Sequence, residues 1–220
     1  MEKEIREINS RLKDYFGEAP RPEDQSGIDY LVETILSQNT NDINRDKAFK
    51  KLKEKYDSWT DVENADREEL IDTIRIAGLG PTKAERIQES LRITREEVGE
   101  YSLDFLNDMD VEDAKAWLED IPGIGPKTAA IILCFHFDRP VMPVDTHVHR
   151  VSKRLGLIPE DTSRKKAHKL LDEEVPDDIK YEFHRLLIEY GRKYCKARHP
   201  KCKEGPLSDL CESHLEFKEK

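Results

Sequence analysis

From Ile5 to Tyr194 the apolar side chains return every three or four positions, and the strict alternation that marks a strand is nearly absent. That rhythm restricts the chain to an all-α fold. Ile5, Ile8, Leu12, Tyr15 and Phe16 predict a helix over 3–16, which Pro20 and Pro22 then interrupt. Ile28 to Leu36 reads as a mostly buried helix ending near Ser37, and Gln38–Asp42 as a polar link that caps the next helix. The apolar face of that next helix is expected to hold Ile43, Phe49, Leu52 and Tyr56. Asp66 caps a short helix carrying Leu70, Ile71 and Ile74, and Pro81 opens another carrying Ala84, Ile87 and Leu91. Val111, Ala114, Trp117 and Leu118 predict a further helix. Val148–Leu155, Ser163–Glu174 and Ile179–Tyr194 predict the last three.

Between two of these helices lies Pro122-Gly123-Ile124-Gly125-Pro126, followed by Lys127-Thr128-Ala129-Ala130. Glycine tolerates positive φ and leaves room for a close approach, and proline suits the first helical position. The stretch reads as a tight hairpin feeding a buried helix, with the free N–H groups of that helix's first turn pointing outward to meet a phosphate. Lys127 sits in that first turn, and Asp145 opens another helical pattern 18 residues later. An earlier segment, Gly78-Leu79-Gly80-Pro81-Thr82-Lys83-Ala84, nearly repeats the hairpin with Lys and Thr exchanged. The exchange turns the amine about 100° around the helix, so this copy is read as a helix start with an exposed Leu79 and not as a second active site.

The net charge of −10 argues by itself against a polyanionic partner, but the charge is uneven. Residues 1–120 hold 18 Lys and Arg against 31 Asp and Glu, whereas residues 121–202 hold 16 against 11. All seven histidines lie beyond residue 120. A surface for nucleic acid therefore belongs at the hairpin and the basic stretch after it. No segment approaches the roughly 20 apolar residues needed to span a bilayer, and the first residues lack a signal-peptide core. A soluble cytoplasmic protein that associates with the nucleoid and meets no membrane is expected. Three of the four cysteines, Cys195, Cys202 and Cys211, cluster near the end, which in such a chain suggests metal before disulfides.

PGIGPKTA followed by VDTHVHR resembles the helix-hairpin-helix (HhH-GPD) DNA glycosylase superfamily, and within it the endonuclease III branch. The likeness runs from about Tyr30 to Cys211. It implies two helical lobes around a DNA-binding cleft: a six-helix lobe at 23–139, and a second lobe of 1–22 with 140–220. It implies base-excision repair of double-stranded DNA by a monomer that removes damaged, oxidised pyrimidine bases and cleaves the resulting abasic site. Lys127 would be the nucleophile and Asp145 the carboxylate that stabilises charge on the sugar or helps deprotonate the lysine. Asn39, or its neighbour Gln38, and Leu79 would fill the gap left by the extruded nucleotide. Gly123, Gly125, His147, Arg150 and Lys153 would lie at the DNA backbone. Two other readings remain: a helix-hairpin-helix module that binds DNA without chemistry, and a glycosylase for mismatched or alkylated bases.

The resemblance breaks at the metal loop, which in the family runs C-x6-C-x2-C-x5-C. Cys195, Cys202 and Cys211 keep three of the positions, and Gly205 stands at the fourth. A [4Fe–4S] cluster wants four thiolates. A cluster on three thiolates with water, His199, Glu204, Asp209 or His214 on the fourth iron, a three-iron cluster, zinc on three cysteines and a histidine, or no metal at all are the readings open. Cys134 is expected in the core.

Overall fold

The computed structural model describes residues 1–21, 25–211 and 213, and among them it contains helices and no strand. In chain order the α-helices are α1 (Glu2–Phe16), α2 (Gly27–Ser37), α3 (Asp42–Lys55), α4 (Trp59–Asn64), α5 (Arg67–Ile74) and α6 (Gly80–Val98). Then come α7 (Val111–Asp120), α8 (Pro126–Ile131), α9 (Thr146–Arg154), α10 (Arg164–Glu174) and α11 (Lys180–Lys193). The chain divides into two compact units, Glu23–Ile132 and Met1–Pro22 with Leu133–Lys220. The change of unit falls where α8 gives way to a π-helical turn, Ile132–His136.

Short polar side chains set the helix starts. Ser26, Asn41, Ser58, Asp66, Asp110, Asp145 and Ser163 each accept a backbone N–H from the first turn of the helix they precede. In the unit 23–132, the core is built from Ile28, Leu31, Ile35, Leu36, Leu52, Leu70, Ile74, Ile87 and Leu91, all buried. Here one expectation fails. Ile43, expected on the inward face of α3, is 66% exposed, and Ala48 and Leu52 are the residues α3 buries. Ile43 is in the first turn, off the stripe that continues through Ala48 and Leu52, and an apolar residue at a helix start can stay in water at small cost.

In the other unit, α1 lies against α11. Ile5, Ile8 and Leu12 join Val144, Val148, Val151, Phe183 and Leu187 in one core. The rim is polar: Arg6 forks onto Asp178 at 2.8 and 2.9 Å, and Asn9 donates to Glu182 at 2.8 Å. The segment before α9 is held by side chains in place of a ladder. The Met142 N–H donates to Asp172 at 2.7 Å, and the buried Lys180 ammonium donates to the Pro140 carbonyl at 2.8 Å. His184 Nδ1 meets the Pro143 carbonyl at 2.8 Å, which a carbonyl partner identifies as an N–H donor. These ties fix the extended run Val141–Val144 that delivers Asp145 to the start of α9.

Candidate functional site

Within the unit 23–132, α7 ends at Ile121 and the chain turns through Gly123, at φ 87°, into α8. The Ile124 N–H closes the turn on the Ile121 carbonyl at 3.0 Å. Ile124 is buried beneath the hairpin while Gly123 and Pro126 stay exposed. Glycine is required at 123 by the positive φ, and Arg86 lies over it, its Nε 2.3 Å from where a Cβ would stand. Lys127 is exposed and makes no hydrogen bond or ion pair with any described residue. Its amine is therefore available to a ligand.

Two further tips belong to the same unit. Asn39 and Leu79 both have φ 53°, in the left-handed region that residues with a side chain rarely occupy. Asn39 is exposed, and Leu79 is 53% exposed just before α6. An open groove of about 610 Å³, whose lining includes Asn39, Asn44, Ile76 and Gly78, runs between the two loops. Gln38, the rival of Asn39, is tied down. Its carboxamide oxygen accepts from Arg86 Nη1 at 2.5 Å, and its Nε2 donates to the Gly123 carbonyl at 3.1 Å. Of the two neighbouring amides, Gln38 braces the hairpin and Asn39 is exposed on the loop. Arg86 had no signal in the sequence, because its partners come from segments 48 and 37 residues away.

In the other unit Asp145 is the N-cap of α9, with Oδ1 accepting the Val148 N–H at 2.7 Å. Oδ2 has no hydrogen-bond partner among the described residues. His147 is half-buried, and burial, with opposing influence from Asp145, lowers the pKa of its imidazole. Arg150 Nη2 lies 3.1 Å from His147 Nδ1, which an obligate donor assigns as the acceptor nitrogen. Lys153 forms no ion pair with any described residue. Arg150, expected at a phosphate, is also bonded within its own unit. Its Nε donates to the Cys195 carbonyl at 2.8 Å and its Nη2 to the Gly191 carbonyl at 3.1 Å, which makes it a tie between α9 and α11. Gly191 permits that contact, since a Cβ there would meet His147 Nδ1 at 3.0 Å.

The cysteine loop lacks the fourth thiolate of a [4Fe–4S] cluster. Gly205 stands at the missing fourth position, and a Cβ there would meet Tyr190 Cε2 at 3.0 Å and Tyr194 Cγ at 3.2 Å. Buried tyrosine rings fill the space into which a ligand at 205 would project. Cys211 Sγ donates to the Arg154 carbonyl at 3.2 Å, and Arg154 Nη1 donates to the Lys196 carbonyl at 2.7 Å. Two of the candidate substitutes are engaged in ion pairs: Asp209 with Arg11 at 2.7 Å and Glu204 with Lys201 at 3.1 Å. His214 lies outside the described residues. Among the described residues no three His, Cys, Asp or Glu side chains gather as a metal-ligand set. Cys134, as expected, is core, and burial pushes its thiol up to about 12.

Comparison with known proteins places this geometry. The model of the HhH-GPD superfamily of base excision DNA repair proteins matches residues 32–177. The chain belongs to that superfamily. It is 38% identical over 182 residues to endonuclease III of Thermotoga maritima, covering 83% of this chain and 81% of that one. A candidate DNA glycosylase of Arabidopsis thaliana is 37% identical over 191 residues, covering 85% of this chain, which spans only 65% of that protein. Among solved structures, a non-covalent endonuclease III–DNA complex superposes with a TM-score of 0.84 at 29% identity, over 100% of this chain and 99% of that one.

Proposed function

We propose that this protein is a base-excision repair enzyme acting on double-stranded DNA, a DNA glycosylase with AP-lyase activity of the endonuclease III kind. The observation that carries the reading is the free, exposed amine of Lys127 directly after the glycine hairpin, in a chain similar to endonuclease III along its length. A base inside a duplex cannot be reached without rotating its nucleotide out of the stack, which costs a few kcal/mol. Asn39 and Leu79, at the tips of two neighbouring loops, occupy the vacated gap and hold the kink. Backbone amides at Gly123 and Gly125, with Lys153 and the His147 imidazole, meet the phosphates, contacts that position without reading sequence.

The neutral Lys127 amine attacks C1′ of the extruded deoxyribose, and the bond to the damaged base breaks with its electron pair leaving on the base. Loss of the ring oxygen's bond to C1′ gives a Schiff base. Removal of a C2′ proton then expels the 3′ phosphate by β-elimination, and water releases the amine. Asp145, with one oxygen held by Val148 N–H and the other free, offsets positive charge on the sugar as the base departs. The substrate class is oxidised pyrimidine. No step involves a metal: the endonuclease III family generally carries a [4Fe–4S] cluster, whereas here the Tyr190 and Tyr194 rings support the loop from within.

Borohydride tests the reaction. Wild-type protein incubated with an abasic duplex should be trapped as a covalent adduct, and Lys127→Ala should abolish trapping while still binding the duplex. Trapping that survives in Lys127→Ala would assign the nucleophile elsewhere. Binding without any wild-type trapping would leave a backbone-binding module. A panel of duplexes carrying one oxidised, alkylated or mismatched base each then reads the substrate class from the fastest excision.

A further inference from the structure

The chemistry proposed above uses neither Lys83 nor Arg86, yet both are placed to govern it. Lys83 is a lysine only 1% exposed, with its Nζ donating to the Leu36 carbonyl at 2.7 Å and to the Ala77 carbonyl at 2.8 Å. These two carbonyls precede the two exposed tips by three and two residues, Asn39 and Leu79. No carboxylate among the described residues pairs with the amine. One turn further along the same face of α6, Arg86 donates to Gln38 and lies over Gly123, and Gln38 itself donates to the Gly123 carbonyl.

Three segments distant in sequence, the Asn39 loop, the Leu79 loop and the hairpin, are thereby bonded to two side chains of one helix. The two tips are backbone outliers at φ 53°, a conformation that persists only when its surroundings impose it. The near-repeat of the hairpin explains how the chain arrives at this. In Gly125-Pro126-Lys127-Thr128 the lysine points to solvent, whereas in Gly80-Pro81-Thr82-Lys83 the exchanged order turns it beneath the loops.

We propose that α6 sets the spacing of the two wedge tips and the hairpin through Lys83 and Arg86, which makes these two residues positioning residues for opening the duplex. The proposal rests on the DNA-repair reading, and it acts through Leu79 and Asn39 without touching DNA. Wedges inserted from two loops must match the geometry of one kinked base step, and a misplacement of about 1 Å is enough to cost up to a hundredfold.

A catalytically inert duplex tests it, one carrying a tetrahydrofuran abasic analogue opposite 2-aminopurine, whose fluorescence rises when the base unstacks. Lys83→Met keeps the length of the chain and removes the donors. It should weaken binding about tenfold, lose the unstacking signal at saturation, and leave a cooperative melting transition. Leu79→Ala should do the same. Because Lys83 acts through Leu79 and Asn39 together, adding Lys83→Met to a Leu79→Ala/Asn39→Ala protein should weaken binding by no more than about twofold. Multiplied losses on that addition, or full unstacking by Lys83→Met, would overturn the proposal. Should Lys83→Met fail to fold, Arg86 carries the test: Arg86→Leu should lose the signal, and Arg86→Lys, which can still donate to Gln38, should recover part of it. An Arg86→Lys protein no better than Arg86→Leu would also overturn it. Borohydride trapping of the wild type reads the enzymatic assignment separately, since unstacking on the inert duplex needs no chemistry.

Discussion

His147 illustrates how one residue's surroundings set its charge. Burial and the Arg150 guanidinium favour the neutral ring, against the pull of Asp145, so its pKa lies below the ordinary imidazole value. The unfolded chain therefore takes up the proton first as pH falls. Stability is unaffected well above pH ~6.5 and declines as pH drops below it toward the folded value. His147→Gln should flatten the dependence of unfolding free energy on pH over that window, measured by denaturant titration. An unchanged slope would mean another group dominates. Cys134 makes a second residue-scale prediction. With its thiol buried and pushed up to about 12, it should resist iodoacetamide at pH 8 in the folded protein and react only after unfolding, as mass spectrometry would read. Gly123→Ala forces a side chain into a positive-φ turn beneath Arg86, a loss of about 1–2 kcal/mol in stability.

Among the elements, α1 shows why a terminal helix can be indispensable. It contributes Ile5, Ile8 and Leu12, each at most 1% exposed, to the core that also holds Val148 and Val151 of α9. Leu12→Ala should destabilise the protein by about 2–5 kcal/mol. Cutting the exposed Arg6–Asp178 pair should cost far less, because both partners are well solvated. Equal losses from the two variants in chemical denaturation would contradict this ranking. The α9 helix gathers several roles on one segment. Its first turn presents Asp145, its second ties to α11 through Arg150, and its last holds the cysteine loop through Arg154.

At the scale of the whole molecule, the loop that closes the chain should be independent of metal. Prolonged chelation should leave both the melting temperature and borohydride trapping unchanged, and purified protein should lack a visible iron–sulfur absorption band. Stoichiometric iron, or a chelator that lowers the melting temperature, would refute the fit of Tyr190 and Tyr194 into that space.

Helical periodicity and capping residues were enough to define nearly every helix, because 3.6-residue spacing and a Ser, Asp or Asn at the start are local properties of the chain. The six-residue α4 escaped, being too short to show a period. The hairpin and its lysine were legible for the same local reason: glycines and a proline announce a turn wherever they fall. What tertiary structure alone decided were the partners. The Gln38–Arg86 bond, the ties of Arg150 to the Cys195 and Gly191 carbonyls, and Lys83 beneath the Leu36 carbonyl all depend on atoms that meet across dozens of residues. Sequence records which groups the chain carries; only folding brings an acceptor to a donor, and with it the distinction between a side chain that holds the protein together and one left free to act.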